Sequence, residues 1–103
     1  MKSVEATMSP EEVIVKILKN FETITKFGVK SIALFGSVAR DEAKPNSDVD
    51  ILVKFEGELT FHKYMDLKFY LEDLLAKEVD LVDWETLKPN IYRNVEKDII
   101  PIA

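Results

Sequence analysis

Asp48-Val49-Asp50-Ile51-Leu52-Val53-Lys54-Phe55 reads as a strand in which acidic and apolar residues alternate before the chain turns apolar at Leu52 and Val53. Side chains two residues apart leave a strand on the same face, so Asp48 and Asp50 converge on one point. Carboxylates that close repel one another. A hard cation relieves that repulsion, and magnesium commonly combines one or two carboxylates with substrate phosphates. Alone, an Asp-x-Asp pair also describes a solvated strand end, so its neighbours decide between the two.

Upstream, Ser31-Ile32-Ala33-Leu34-Phe35 is a nearly continuous apolar run that stops at Gly36, as expected for a strand buried on both faces. Gly36-Ser37 ends it and opens a helical turn, where free N–H groups and a hydroxyl can hold a phosphate that glycine lets approach. An ordinary strand-to-helix turn has the same composition. The rest of the stretch to Asn46 is a loop containing Pro45, with at most a short helix from Ser37 to Glu42.

Before that strand, Ser9-Pro10-Glu11-Glu12 carries a capping box and a first-turn proline, and Met1 to Met8 are expected to fray. Val13, Ile14, Ile17, Leu18, Phe21 and Ile24 then recur at helical spacing up to Gly28, giving one helix over a core. A second amphipathic helix is predicted from Thr60 to Ala76 and a third strand from Val79 to Val82. The tail from Thr86 to Ala103, with Pro89 and Pro101 around Ile91, Tyr92, Val95 and Ile99, suits one short helix and an irregular end.

Asp80 interrupts the third strand between Val79 and Leu81, where an unpaired carboxylate is expensive to bury, whereas Asp83 at the strand end has a solvated explanation. If the second and third strands are neighbours with matching pleat, Asp80 joins Asp48 and Asp50 as a third metal ligand.

With 103 residues, a single domain over 1–103 is expected, and 47% apolar residues suffice for its core. A formal net charge of -5 gives no general attraction to phosphate backbones, so direct nucleic-acid binding is not expected. The absence of cysteine removes disulfides and thiolate metal sites. No apolar run is long enough to span a membrane and no signal pattern opens the chain, so the expected location is cytoplasmic.

Together, Gly36-Ser37-Val38-Ala39-Arg40, Ser47-Asp48-Val49-Asp50-Ile51 and Val79-Asp80-Leu81-Val82 resemble the minimal nucleotidyltransferases of the DNA polymerase β superfamily. The resemblance runs from about Ser9 through the tail and includes antitoxins encoded beside toxins of the HEPN ribonuclease class. It implies an α/β (α+β) palm, a small mixed sheet flanked by helices. It also implies Gly36 and Ser37 at the triphosphate with Arg40 and Ser47 beside them, and Asp48, Asp50 and Asp80 as catalytic metal ligands. The implied cofactor is Mg²⁺, two ions, with ATP as substrate, and the implied reaction transfers AMP to a tyrosine hydroxyl of the partner HEPN-type toxin. Asp41 departs from the pattern, because many relatives have glycine there, and it is expected to alter the loop or put a charge near the phosphates.

Arg40 has two readings, a phosphate contact or a pair with Asp41, Glu42 or a strand-end carboxylate. Lys44, Lys54 and His62 read as surface residues, and Tyr70, Trp84 and Tyr92 as packing or interface anchors. Ile99, Ile100, Pro101 and Ile102 form either a docking surface or the closure of the core. Two other functions use the same fold: an antitoxin that neutralises by binding alone, and a transferase acting on a small molecule. Only about twenty residues follow Asp83, which favours an acceptor supplied by another macromolecule or a site completed by a homodimer or hetero-oligomer.

Overall fold

The computed structural model of the chain describes residues 8–87, 93 and 96–103. Helix α1 (Pro10–Lys19) starts at the expected capping box, in which Ser9 Oγ accepts from Glu12 N–H at 3.2 Å and Glu12 Oε1 accepts from Ser9 N–H at 3.0 Å. The single helix predicted up to Gly28 is in fact two. Asn20 leaves helical geometry, donates from its side-chain amide to the Lys16 carbonyl at 2.8 Å, and separates α1 from the short α2 (Phe21–Thr25). An asparagine amide that competes for helix carbonyls favours such a break.

Strand β1 (Val29–Phe35) is followed by one helical turn, α3 (Gly36–Ala39), and by β2 (Val49–Phe55). Helix α4 (Phe61–Leu75), capped by Thr60 on Lys63 N–H, then leads to β3 (Val79–Asp83). The last strand, β4 (Ile100–Pro101), is absent from the sequence reading, because two residues including a proline carry no periodicity; proline is tolerated there as an edge residue. The sheet order is β3-β2-β1-β4, with β2 antiparallel to β1 and parallel to β3, so the sheet is mixed as expected.

One face of the sheet carries the core. Ile32 and Leu34 of β1, Val49, Ile51 and Val53 of β2, and Val79 and Leu81 of β3 pack against Val13, Ile17, Ile24, Leu67, Leu71 and Leu75 of the helices. Each of the three α4 leucines is essentially inaccessible, and burying such a side chain contributes about 2 kcal/mol. Strand β1 is not buried on both faces. Its second face, with Ser31, Ala33 and Phe35, is only half-covered. The same face presents Asp50, Leu52 and Lys54 from β2 and Asp80 and Val82 from β3, by strand alternation.

At the end of this face away from the aspartates lies a cavity of about 370 Å³, lined by Ser31, Ala33, Leu52, Lys54, Trp84 and Ile99 among others. Ile100 and Ile102 pack against the main core, so part of the tail closes it rather than standing off as a surface. The helix predicted in the tail, and Tyr92 within it, lie outside the described residues. No described helix is long and apolar enough to cross a membrane.

Candidate active site

The site sits where β1 ends and β2 and β3 begin. Phe35 pairs with Asp50 in the antiparallel ladder and Asp50 with Asp80 in the parallel one, so the Gly36 turn and the two carboxylates occupy one row across three elements. Gly36 has a φ of 78°, a left-handed conformation that glycine adopts without penalty. A Cβ at this position would run into the Asp50 carboxyl group, approaching its carbon at 2.8 Å. Glycine is therefore required twice over, for the turn and for the seat of the carboxylate.

Asp50 is half-buried, and its carboxyl is pushed up to about 6 by burial first, then by the charge of Asp80, a hydrogen bond shared with Asp80, and the charge of Asp48. Arg40 acts in the other direction. Asp80 and Asp48 are both exposed. The expected burial of the β3 acids is thus reversed. Asp80 faces the open side at no great desolvation cost. Asp83 shares the core parity of Val79 and Leu81, is only 8% exposed, and accepts from Glu85 N–H at 3.3 Å to cap the 3-10 turn Trp84–Thr86.

Asp50 and Asp80 are brought together; Asp48, one residue before β2, reaches Asp50 through its charge but is not gathered beside it. Among the described residues, no three His, Cys, Asp or Glu side chains already form a metal-ligating cluster. The donor chemistry nevertheless fits a divalent cation: two adjacent carboxylates, one held above its ordinary range by burial and then by the charge of the other, are an oxygen set whose repulsion a hard cation relieves. Asp48 is exposed, so no packing fixes its side chain elsewhere.

The loop between α3 and β2 is closed by its own backbone, with Arg40 N–H on Gly36 C=O at 3.1 Å, Asp41 N–H on Val38 C=O at 2.9 Å, and Glu42 N–H on Ser37 C=O at 2.8 Å. Arg40 pairs with Glu42 at 2.9 Å and with Asp98 of the 3-10 turn Glu96–Asp98 at 3.0 Å, which ties the tail to the loop. Ser47 Oγ accepts from Lys44 N–H at 2.9 Å and closes the turn that delivers Asp48. Asp41 has a φ of 60°, a left-handed backbone conformation that the expected glycine would adopt freely and that aspartate tolerates better than most residues.

A family model described as a nucleotidyltransferase domain matches residues 14–102. The chain belongs to this nucleotidyltransferase family. It is 47% identical over 75 residues to the protein adenylyltransferase MntA of Thermococcus cleftensis, a match covering 73% of this chain and 76% of that one. A solved structure of a candidate minimal nucleotidyltransferase superposes with a TM-score of 0.79 at 34% identity, covering 93% of this chain and 98% of the other. A toxin–antitoxin structure solved with AMP-PNP superposes at 0.72 and 27% identity, covering 87% and 72%.

In this nucleotidyltransferase His62 is exposed, as expected, and Tyr70 packs on Phe27 with ring centroids 5.2 Å apart. Sequence reasoning placed Tyr64 only in the apolar stripe of α4 and passed over Lys68 and Glu72; all three bond to the backbone of β3 on either side of Asp80. Their four-residue spacing beside the leucine stripe was the available signal.

Proposed function

We propose that this nucleotidyltransferase transfers AMP from ATP to a tyrosine hydroxyl of a partner HEPN-type ribonuclease toxin, and acts in the cytoplasm as its antitoxin. The observation that carries the reading is the Asp50 carboxyl seated on the bare Gly36 turn beside Asp80, which puts a glycine turn and an acidic pair in one row. The likeness to MntA and to a toxin–antitoxin structure solved with AMP-PNP supports the donor and the kind of partner.

In this reading Gly36 and Ser37 face the triphosphate, with Arg40 and Ser47 shaping the loop around it. Asp48, Asp50 and Asp80 would hold two Mg²⁺ ions, whose chemistry is to neutralise the triphosphate and the departing pyrophosphate. The acceptor oxygen bonds to the α-phosphorus, the bond from that phosphorus to the bridging oxygen breaks, and pyrophosphate leaves. Asp80, the more exposed of the adjacent pair, receives the hydroxyl proton as general base.

The test pairs the wild type with the Asp48→Ala, Asp50→Ala double variant, each mixed with the toxin, ATP and Mg²⁺, and follows the toxin's ribonuclease activity. Silencing that requires ATP and is lost in the double variant is expected. Equal silencing by both forms without ATP would replace catalysis by neutralisation through binding.

A further inference from the structure

Strand β3 is an edge strand, with β2 on one side only. Its ladder begins with Val49 N–H donating to the Glu78 carbonyl at 2.9 Å, and Asp80 lies opposite Asp50. In that pattern the backbone of Asp80 turns toward β2, while that of Val79 and Leu81 turns outward, where an edge leaves it unpaired. Helix α4 supplies the partners. Glu72 Oε2 accepts from Val79 N–H at 3.0 Å, Lys68 Nζ donates to Val79 C=O at 2.9 Å, and the Tyr64 hydroxyl donates to Leu81 C=O at 2.5 Å. Lys68 and Glu72 also bond each other at 2.8 Å.

Residues 64, 68 and 72 form one stripe along the helix, next to the buried Leu67, Leu71 and Leu75. The helix is thus anchored in the core by one stripe and grips the strand edge by the next. The side chain of Asp80 is exposed, so packing does not place it. Besides its hydrogen bond with Asp50, what places it is backbone held from both sides, by β2 at Asp80 itself and by α4 at the residues before and after.

We propose that Tyr64, Lys68 and Glu72 are positioning residues that hold Asp80 in register with Asp50 for divalent-cation binding. The proposal rests on the nucleotidyl-transfer reading and deepens it. None of the three belongs to the carboxylate row; they act through the β3 backbone. Without the clamp, the outer edge of β3 exchanges its fixed partners for water and Asp80 samples positions away from Asp50.

The experiment measures Mn²⁺ binding to the full chain by electron paramagnetic resonance, with AMP-PNP present and thermal unfolding followed in parallel. Lys68→Met is expected to unfold cooperatively and to bind Mn²⁺ about 10-fold more weakly, as is typical when the support of a metal ligand is removed. Lys68→Arg, which keeps a donor for Val79 C=O, is expected to restore most of the affinity. In an Asp80→Asn background Lys68→Met should cost nothing further, because its effect passes through Asp80.

A folded Lys68→Met protein with wild-type affinity overturns the proposal, as does an equal loss in both backgrounds. Should Lys68→Met fail to fold, Tyr64→Phe takes its place: weaker Mn²⁺ binding supports the clamp and unchanged binding overturns it. Wild-type protein that takes up no Mn²⁺ overturns the metal reading and this proposal with it, whereas binding by wild type and variant alike removes the proposal alone.

Discussion

Asp50 is the residue at which stability and the proposed function pull apart. Burial and the neighbouring charges of Asp80 and Asp48 raise its carboxyl from 3.8 to about 6, so the fold holds that proton more tightly than the unfolded chain does. Between about pH 4 and 6 the folded state therefore binds more protons, and stability falls as pH rises through that window. The penalty is complete above pH 6 and absent below pH 4. Asp50→Asn removes it, and in chelator-treated protein is expected to stabilise by on the order of 1 kcal/mol at pH 7, after discounting for solvent, with little gain at pH 4. Urea unfolding at the two pH values checks this. Gly36 makes the complementary prediction. A Cβ there meets the Asp50 carboxyl in a backbone conformation unfavourable to other residues, so Gly36→Ala should cost about 1–2 kcal/mol. In transfer assays it should lower the rate about 100-fold while the protein stays folded.

Among the elements, α4 has the widest role, since it fills the core, crosses from β2 to β3 and covers the β3 edge. Its C-terminal cap is Ala76 at a φ of 55°, a left-handed position where glycine is the ordinary solution. Ala76→Gly is expected to raise stability by roughly 0.5–1 kcal/mol, the backbone relief exceeding the added freedom of the unfolded chain. A higher thermal midpoint with unchanged transfer activity is the expected pair of results; a lower midpoint would show that the left-handed cap is not strained. The other end of the chain's helical layer was plain in the sequence, because the Ser9 and Glu12 capping box is a local pattern with a local cause. The break at Asn20 was hidden, since the apolar spacing continues across it and only the asparagine amide interrupts the ladder.

At the scale of the whole molecule, what could be read in advance was what two-residue alternation dictates. Asp50 and Asp80 share a face and a row because β2 and β3 are paired in register, and Gly36 ends β1 beside them. Alternation also contained the exposure of Asp80 and the burial of Asp83, which the cost of an isolated buried charge obscured: β3 keeps one face open, so a charge facing that side avoids the cost. The pairing of β4 with β1 and the tie from Arg40 to Asp98 depend on contacts between distant segments, and no local pattern announces them. They bring the tail back to the loop that delivers Asp48.

The central claim is that this row performs nucleotidyl transfer. It is tested most directly by incubating the protein with Mg²⁺, the proposed toxin partner and ATP labelled at either the α- or the γ-phosphate. The account predicts that α-label becomes covalently attached to the partner and γ-label does not, with transfer abolished by Asp48→Ala combined with Asp50→Ala. Transfer of γ-label, or no covalent label on a partner that is nonetheless bound and silenced, would contradict it.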